Sequence, residues 1–379
     1  MRKIRLTVIA LSVLGLATIP ALAFHDGGVA HCNGCHTMHN SQNGVAMNGE
    51  KTGASTAPGQ GFAKLLLYPN RTDVCLDCHA GDGGYHVWST DMNAPTVAER
   101  GGGDFVFLEE DNLNDGHGGA TNPILGHAAG HSVISDMMNT VVDPELDTAP
   151  GGTFPSEHMS CSACHDPHGN QGYRLTYQTG QTYSINGLTI GYAAEIDAVG
   201  ISVFAGNESN GFHNAYNGGF SAWCATCHGD FHQKDVLTEM IHPSGSSMGD
   251  IATAYNLYNG TTDCLANPPG TVLGQETCGS GVIGTSYLHF VPFEDPAVTN
   301  VSTTGPTGTS QVSCVSCHRA HATSAPDAGR WDFSVTGLAE DGAESLSYTI
   351  PNPYDSGQRS LCNKCHAQDE YDAPHDFTP

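Results

Sequence analysis

Apolar positions are gathered at one end of the chain and scattered elsewhere. Leu6 to Ile19 is the one sustained, predominantly apolar run; it follows Arg2, Lys3 and Arg5 and leads into Ala21-Leu22-Ala23. A basic start, an apolar stretch too short to span a bilayer and a small-x-small ending are the three parts of a cleaved export signal. Residues 1–23 are therefore expected to be a signal peptide, with 24–379 as a single mature unit. No later segment approaches twenty apolar residues, and long amphipathic helical repeats are absent. Strand-like runs at Leu188–Tyr192 and Ile201–Phe204 lie among Gly, Asn and Asp turns. The pattern predicts mostly irregular backbone with short helices and few short strands.

Composition sharpens this picture. With 47 Gly, 20 Pro and only 14% charged residues, such a chain would ordinarily be too poor in packing signals to fold. The 14 cysteines point to a covalent group that supplies the missing core. The formal charge is −26, or −29 once the three basic residues of the signal are removed. That sign argues against nucleic acid and anionic lipid as partners.

Twelve cysteines fall into six C-x-x-C-H motifs: Cys32/Cys35/His36, Cys75/Cys78/His79, Cys161/Cys164/His165, Cys224/Cys227/His228, Cys314/Cys317/His318 and Cys362/Cys365/His366. Two thiols at this spacing add across the vinyl groups of one porphyrin, and the adjoining histidine reaches its iron. Chance would supply roughly 0.03 such motifs in this composition. Zinc sites need no histidine after every second cysteine, and thioredoxin-like C-x-x-C sites need a strand–helix context that is not visible here. The expected cofactors are six covalently attached haem c groups with their irons. Cys264 and Cys278 stand outside the motifs and are expected to form a disulfide, worth about 3 kcal/mol by the chain-entropy relation.

The sixth ligand of each iron separates an electron carrier from an enzyme. Of 21 histidines, fifteen are not in a motif, an ample supply. His39, His168, His232 and His321 follow a motif closely, so each is better placed to reach a neighbouring haem than its own. Met38 and Met159 are the minor alternatives. His31, His117, His127, His158, His213, His289 and His375 read as solvated or hydrogen-bonding histidines.

The stretch Phe24 to Ala30 leading into CNGCHTMHN resembles the mature start of the OmcS-type hexahaem cytochrome nanowires, a family of outer-surface cytochrome filaments. The likeness continues through APGGTFP (Ala149 to Pro155), CSACHDPHG, WCATCHGDFH with IHPSG, CVSCHRAHA and QRSLCNKCHA. Cys264, Cys278 and the acidic balance are departures. The resemblance implies a multihaem cytochrome c fold, mostly loop, wrapped around a continuous stack of bis-histidine haems. It implies His25, His39, His86, His131, His168, His232, His242 and His321 as distal candidates, eight for six places. It further implies head-to-tail copies, with His39 ligating the haem of Cys314, Cys317 and His318 in the adjacent subunit.

The function expected is extracellular electron transfer by haem-to-haem hopping, not enzymatic turnover. Other multihaem cytochromes and extracellular acceptors would be its partners. Export through the periplasm to the cell surface would place it there, and a monomeric multihaem shuttle is the alternative. A reductase would show a variant motif such as C-x-x-C-K or too few histidines, and neither is present.

Overall fold

The computed structural model describes residues 31–49, 53, 56–82, 85–91, 101–109, 113–114, 123–199, 215–232, 244–257, 291–297, 305–330 and 333. The signal segment, the run Ile201–Phe204, Cys264, Cys278, the sixth motif and histidines 25, 117, 213, 242, 289 and 375 lie outside these residues.

Regular elements form where the attachment motifs are. Helix α1 (Arg71–His79) begins at Asn70, whose side chain accepts the Asp73 N–H, and it stops at His79 because Ala80 is extended. Helices α2 (Cys161–Cys164) and α3 (Phe220–Cys224) carry the third motif and the start of the fourth. A further helix, α4, covers Ile251–Leu257. Helix α5 (Cys314–Cys317) opens with a capping box between Ser313 and Ser316. The first motif sits on a 3-10 turn at Cys32–Gly34. A single turn suffices, since residues three apart share one helix face and both thiols then point the same way. Helix α1 packs on α2, and α3 on α5. These contacts bring Cys75 to Cys161 and Cys224 to Cys314 within hydrogen-bonding reach.

Three antiparallel two-stranded ribbons complete the elements among the described residues. The strands β1 (Leu113–Asn114) and β2 (Pro123–Ile124) pair, as do β3 (Thr182–Ile185) and β4 (Leu188–Gly191), and β5 (Asp197–Val199) and β6 (Ala215–Gly218). The β3–β4 hairpin turns through Asn186-Gly187, both at positive φ, the two-residue turn that Asn-Gly favours.

The protein does have apolar cores of its own, contrary to the expectation that porphyrin alone would supply one. Phe105, Val106, Phe107 and Leu108 are buried against Leu76, Trp88 and Val133. Phe154 and tyrosines 177, 183 and 192 form a second cluster, and Ile196, Tyr216, Phe220 and Val315 a third. Each is small and lies behind a motif helix, so it stiffens the wall that carries the cysteines. Among the described residues no helix is long and apolar enough to cross a membrane.

One strap shows how closely the backbone wraps the motifs. Pro150-Gly151-Gly152 lies against the fourth motif, with the Asp230 N–H donating to the Gly151 carbonyl at 2.8 Å. A Cβ at position 152 would lie 1.7 Å from the Cys227 carbonyl oxygen, so only glycine fits. Gly191, by contrast, faces open space. G152A is expected to lower stability by about 1–3 kcal/mol, the cost of overpacking a tight contact. G191A should stay within about 0.5 kcal/mol of the parent. Thermal melts of the two haem-loaded variants measure both; equal melts would contradict this packing.

Candidate haem-binding cavity

All five described motifs open onto one continuous cavity of about 3830 Å³, lined among others by Cys32, Cys75, Cys161, Cys224 and Cys314. Small-molecule sites occupy about 300–1,000 Å³, so this cavity is several times too large for one substrate. Its wall is mainly apolar.

The motif histidines are held in one uniform way. The Nδ1 of His36 lies 3.0 Å from the Lys64 carbonyl oxygen, that of His79 3.1 Å from Tyr85, and that of His165 2.9 Å from Arg174. His228 bonds to the Pro150 carbonyl at 2.8 Å and His318 to that of Asp327 at 2.7 Å. A carbonyl can only accept, so Nδ1 carries the proton in all five. Nε2 is left as a bare lone pair, the tautomer that ligates a metal.

Motifs one, three and five share a further device. Lys64-Leu65, Arg174-Leu175 and Asp327-Ala328 each place two consecutive non-glycine residues at positive φ. Left-handed backbone costs such residues roughly 1–2 kcal/mol apiece. The turn meets that cost with a fixed set of bonds. Its first carbonyl takes the histidine Nδ1–H; its second takes the next backbone N–H, from Thr37, Asp166 or Arg319, at 2.7–2.8 Å. The chain then returns an N–H, from Leu67, Tyr177 or Arg330, to the second cysteine of the motif. The even motifs, two and four, use other carbonyls. No residue-type pattern marks these turns, and the sequence reading does not find them.

Distal candidates fall into distinct settings. His168 faces His36 with ring centroids 6.3 Å apart and planes only 4° from parallel. His131 faces His228 at 6.0 Å and 51°. Two metal–imidazole bonds of about 2.0–2.1 Å in line, with roughly 1.1 Å from each nitrogen to its ring centre, put axial imidazoles about 6.3 Å apart. The centroid separations of both pairs match that span. His168 thus reaches back across two motifs, from the third to the first. His321 lies in the cavity wall, stacked on Phe105 at 4.5 Å. His86 and His232 also line the cavity, with Nδ1 held by the Asp82 carbonyl at 3.1 Å and the Ser244 hydroxyl at 2.8 Å. His39 is exposed and is absent from the cavity wall. Candidates His25 and His242 lie outside the described residues.

The histidines set aside by the sequence reading divide. His31 and His127 line the cavity, whereas His158 sits 3.7 Å from Glu157 away from it. Met38 is 79% exposed, and Met159 packs between the first two apolar clusters.

Electrostatics suit neutral ligands. Burial first, then the neighbouring His228, lowers the His131 pKa to about 4. Burial first, then His165 and His131, lowers that of His321 to about 3. His165 and His318 are also lowered, chiefly by burial. Such rings are neutral at physiological pH and free to ligate. Burial pushes the Cys164 thiol up to about 12 and the Cys227 thiol up to about 11. Thiolate chemistry and zinc binding need the opposite shift, which the Cys314 thiol shows, lowered to about 7 by its hydrogen bond with Cys224. Among the described residues no three His, Cys, Asp or Glu side chains converge as a metal-ion site. Paired thiols, bare Nε2 atoms and facing imidazoles around an apolar space fit c-type haem.

Comparison with known proteins agrees. No family model matches the chain. It is 31% identical to the C-type cytochrome OmcS of Geobacter sulfurreducens, over 97% of this chain and 99% of that protein. Among solved structures it matches the Outer Membrane Cytochrome S filament of that organism at 28% identity and a TM-score of 0.70. It matches the OmcS nanowires determined by cryo-EM at 29% and 0.69. Each match covers 90% of this chain and 99% of the other. The loop-dominated backbone, with its few short helices and ribbons, is thus the fold of a multihaem cytochrome c, and the chain belongs to the OmcS family of c-type cytochromes.

Proposed function

We propose that this protein conducts electrons outside the cell, through six bis-histidine haems in each copy and through copies joined head to tail. The observation that carries the reading is the near-parallel His36–His168 pair, 6.3 Å apart between ring centres, at a cavity that the five described motifs share. Each haem, when bound, supplies one-electron Fe(III)/Fe(II) exchange, passed to the next haem by hopping. The relatives, named as a filament and as nanowires, support polymerisation.

The chain's own residues would do three things. The motif cysteines would fix each porphyrin, and the Nδ1-anchored motif histidines would close one face. A second imidazole would close the other face and exclude substrate, which makes the protein a carrier rather than an enzyme. We assign His168 to the iron of His36 and His131 to that of His228. His321 goes to the iron of His165, the first charge partner after burial in its environment. His39, exposed beside Met38 and in no ring pair of its own among the described residues, goes to the His318 iron of the neighbouring copy. The irons of His79 and His366 then draw on His25, His86, His232 and His242. Export by the segment 1–23 would carry the chain through the periplasm to the surface, where other multihaem cytochromes and extracellular acceptors meet it.

Two substitutions test this. H168A should convert one of six low-spin irons to a high-spin centre that binds carbon monoxide, while the parent binds none. An H168A protein with all irons still low-spin would remove His168 from the ligand set. H39A should abolish filaments in electron micrographs and leave one iron per subunit high-spin. Intact filaments with every iron low-spin would refute ligation between copies and leave the monomeric shuttle.

A further inference from the structure

Glu294 sits one layer behind the cavity wall, where the helices of motifs four and five meet. It is only 3% exposed. Its Oε1 accepts the Ser221 backbone N–H at 2.8 Å, the Ser221 hydroxyl at 3.2 Å and the Ser313 hydroxyl at 2.8 Å. The Ser221 hydroxyl in turn accepts the Cys314 N–H at 3.1 Å. One carboxylate oxygen thereby ties the start of α3 to the start of α5. The backbone of Glu294 is fixed as well, by paired bonds with Gln311. Among the described residues no Lys or Arg forms an ion pair with it.

Hydrogen bonds offset part of the cost of burying a carboxylate, but a neutral acceptor would join the helices without that cost. The charge itself therefore calls for a role. It lies close to the attachment residues: Ser221, which it binds, belongs to the helix that ends at Cys224, and the Ser221 hydroxyl accepts the Cys314 N–H.

We propose that Glu294 sets the potential of this section of the electron path: its buried negative charge lowers the reduction potentials of the irons held at motifs four and five. The inference rests on the haem reading above and deepens it. Ferric haem carries one positive charge more than ferrous haem, so a nearby negative charge in a poorly screened setting stabilises the ferric form. The step it biases adds one electron and breaks no bond.

The test uses the full-length exported protein with Glu294→Gln, which keeps an acceptor oxygen for the serines and removes the charge. Haem content and spin state are measured first, and then the six haems are titrated spectroelectrochemically. Two of six potentials should rise in E294Q, the other four staying in place with all irons low-spin. Six low-spin haems with unmoved potentials would overturn the proposal. Fewer than six haems in the parent would instead sink the haem reading. Ser313→Ala removes the hydroxyl's bonds with Glu294, Ser221 and the Ser316 N–H and keeps the charge, so the same two potentials should not rise. If they do, loosened helices and not the charge explain the effect, and the proposal fails.

Discussion

The contact on which this structure depends is the hydrogen bond from a histidine Nδ1–H to a backbone carbonyl. It recurs at every described attachment motif, at 2.7–3.1 Å, though the carbonyls come from unrelated segments. A C-x-x-C-H sequence alone fixes two sulfur atoms but leaves the imidazole free to rotate and to change tautomer. The carbonyl removes both freedoms and leaves Nε2 as an aimed, unprotonated donor for a metal. In three of the five motifs the carbonyl belongs to a left-handed turn of ordinary residues, a conformation that persists only because several bonds hold it.

From that contact the rest of the architecture follows. Because each wall segment must present both a motif helix and its carbonyl, the backbone runs as straps and turns rather than long elements. The apolar clusters are small and sit behind the helices, where Phe105–Leu108 and the tyrosines of the β3–β4 ribbon brace them. Close approach is bought with glycine, as at Gly152 against Cys227 and Gly130 against the His321 carbonyl. Buried carboxyl groups such as those of Glu294 and Asp73 bond to backbone N–H groups and side-chain donors, chiefly serine hydroxyls, and so tie motif helices to their neighbours.

The attachment chemistry was legible in the sequence because C-x-x-C-H is a covalent requirement with fixed spacing. The loop-dominated fold was legible because no apolar periodicity supports anything longer. Which imidazoles face one another was not: His168 lies two motifs after His36, and only the fold brings their rings together. His131 sits in a segment with no motif nearby and comes to attention through resemblance alone. The turns at Lys64, Arg174 and Asp327 carry no glycine and no asparagine, so their left-handed backbone has no local signature. The run Phe105–Leu108 could have been read as a core segment; four consecutive apolar residues after Gly101-Gly102-Gly103-Asp104 were visible, but the absence of periodicity hid their burial. Asn186-Gly187 likewise marks a hairpin whose first strand, Thr182–Ile185, the polarity pattern alone does not suggest.

The claim at the centre is that two imidazoles close every iron, one of them locked by a backbone carbonyl. Near-infrared magnetic circular dichroism of the oxidised native protein measures it directly, because axial ligand type and spin state are read from the same bands. The account predicts low-spin bis-imidazole iron throughout, equal in amount to the six motifs. A high-spin or methionine-ligated fraction in the native filament would contradict it.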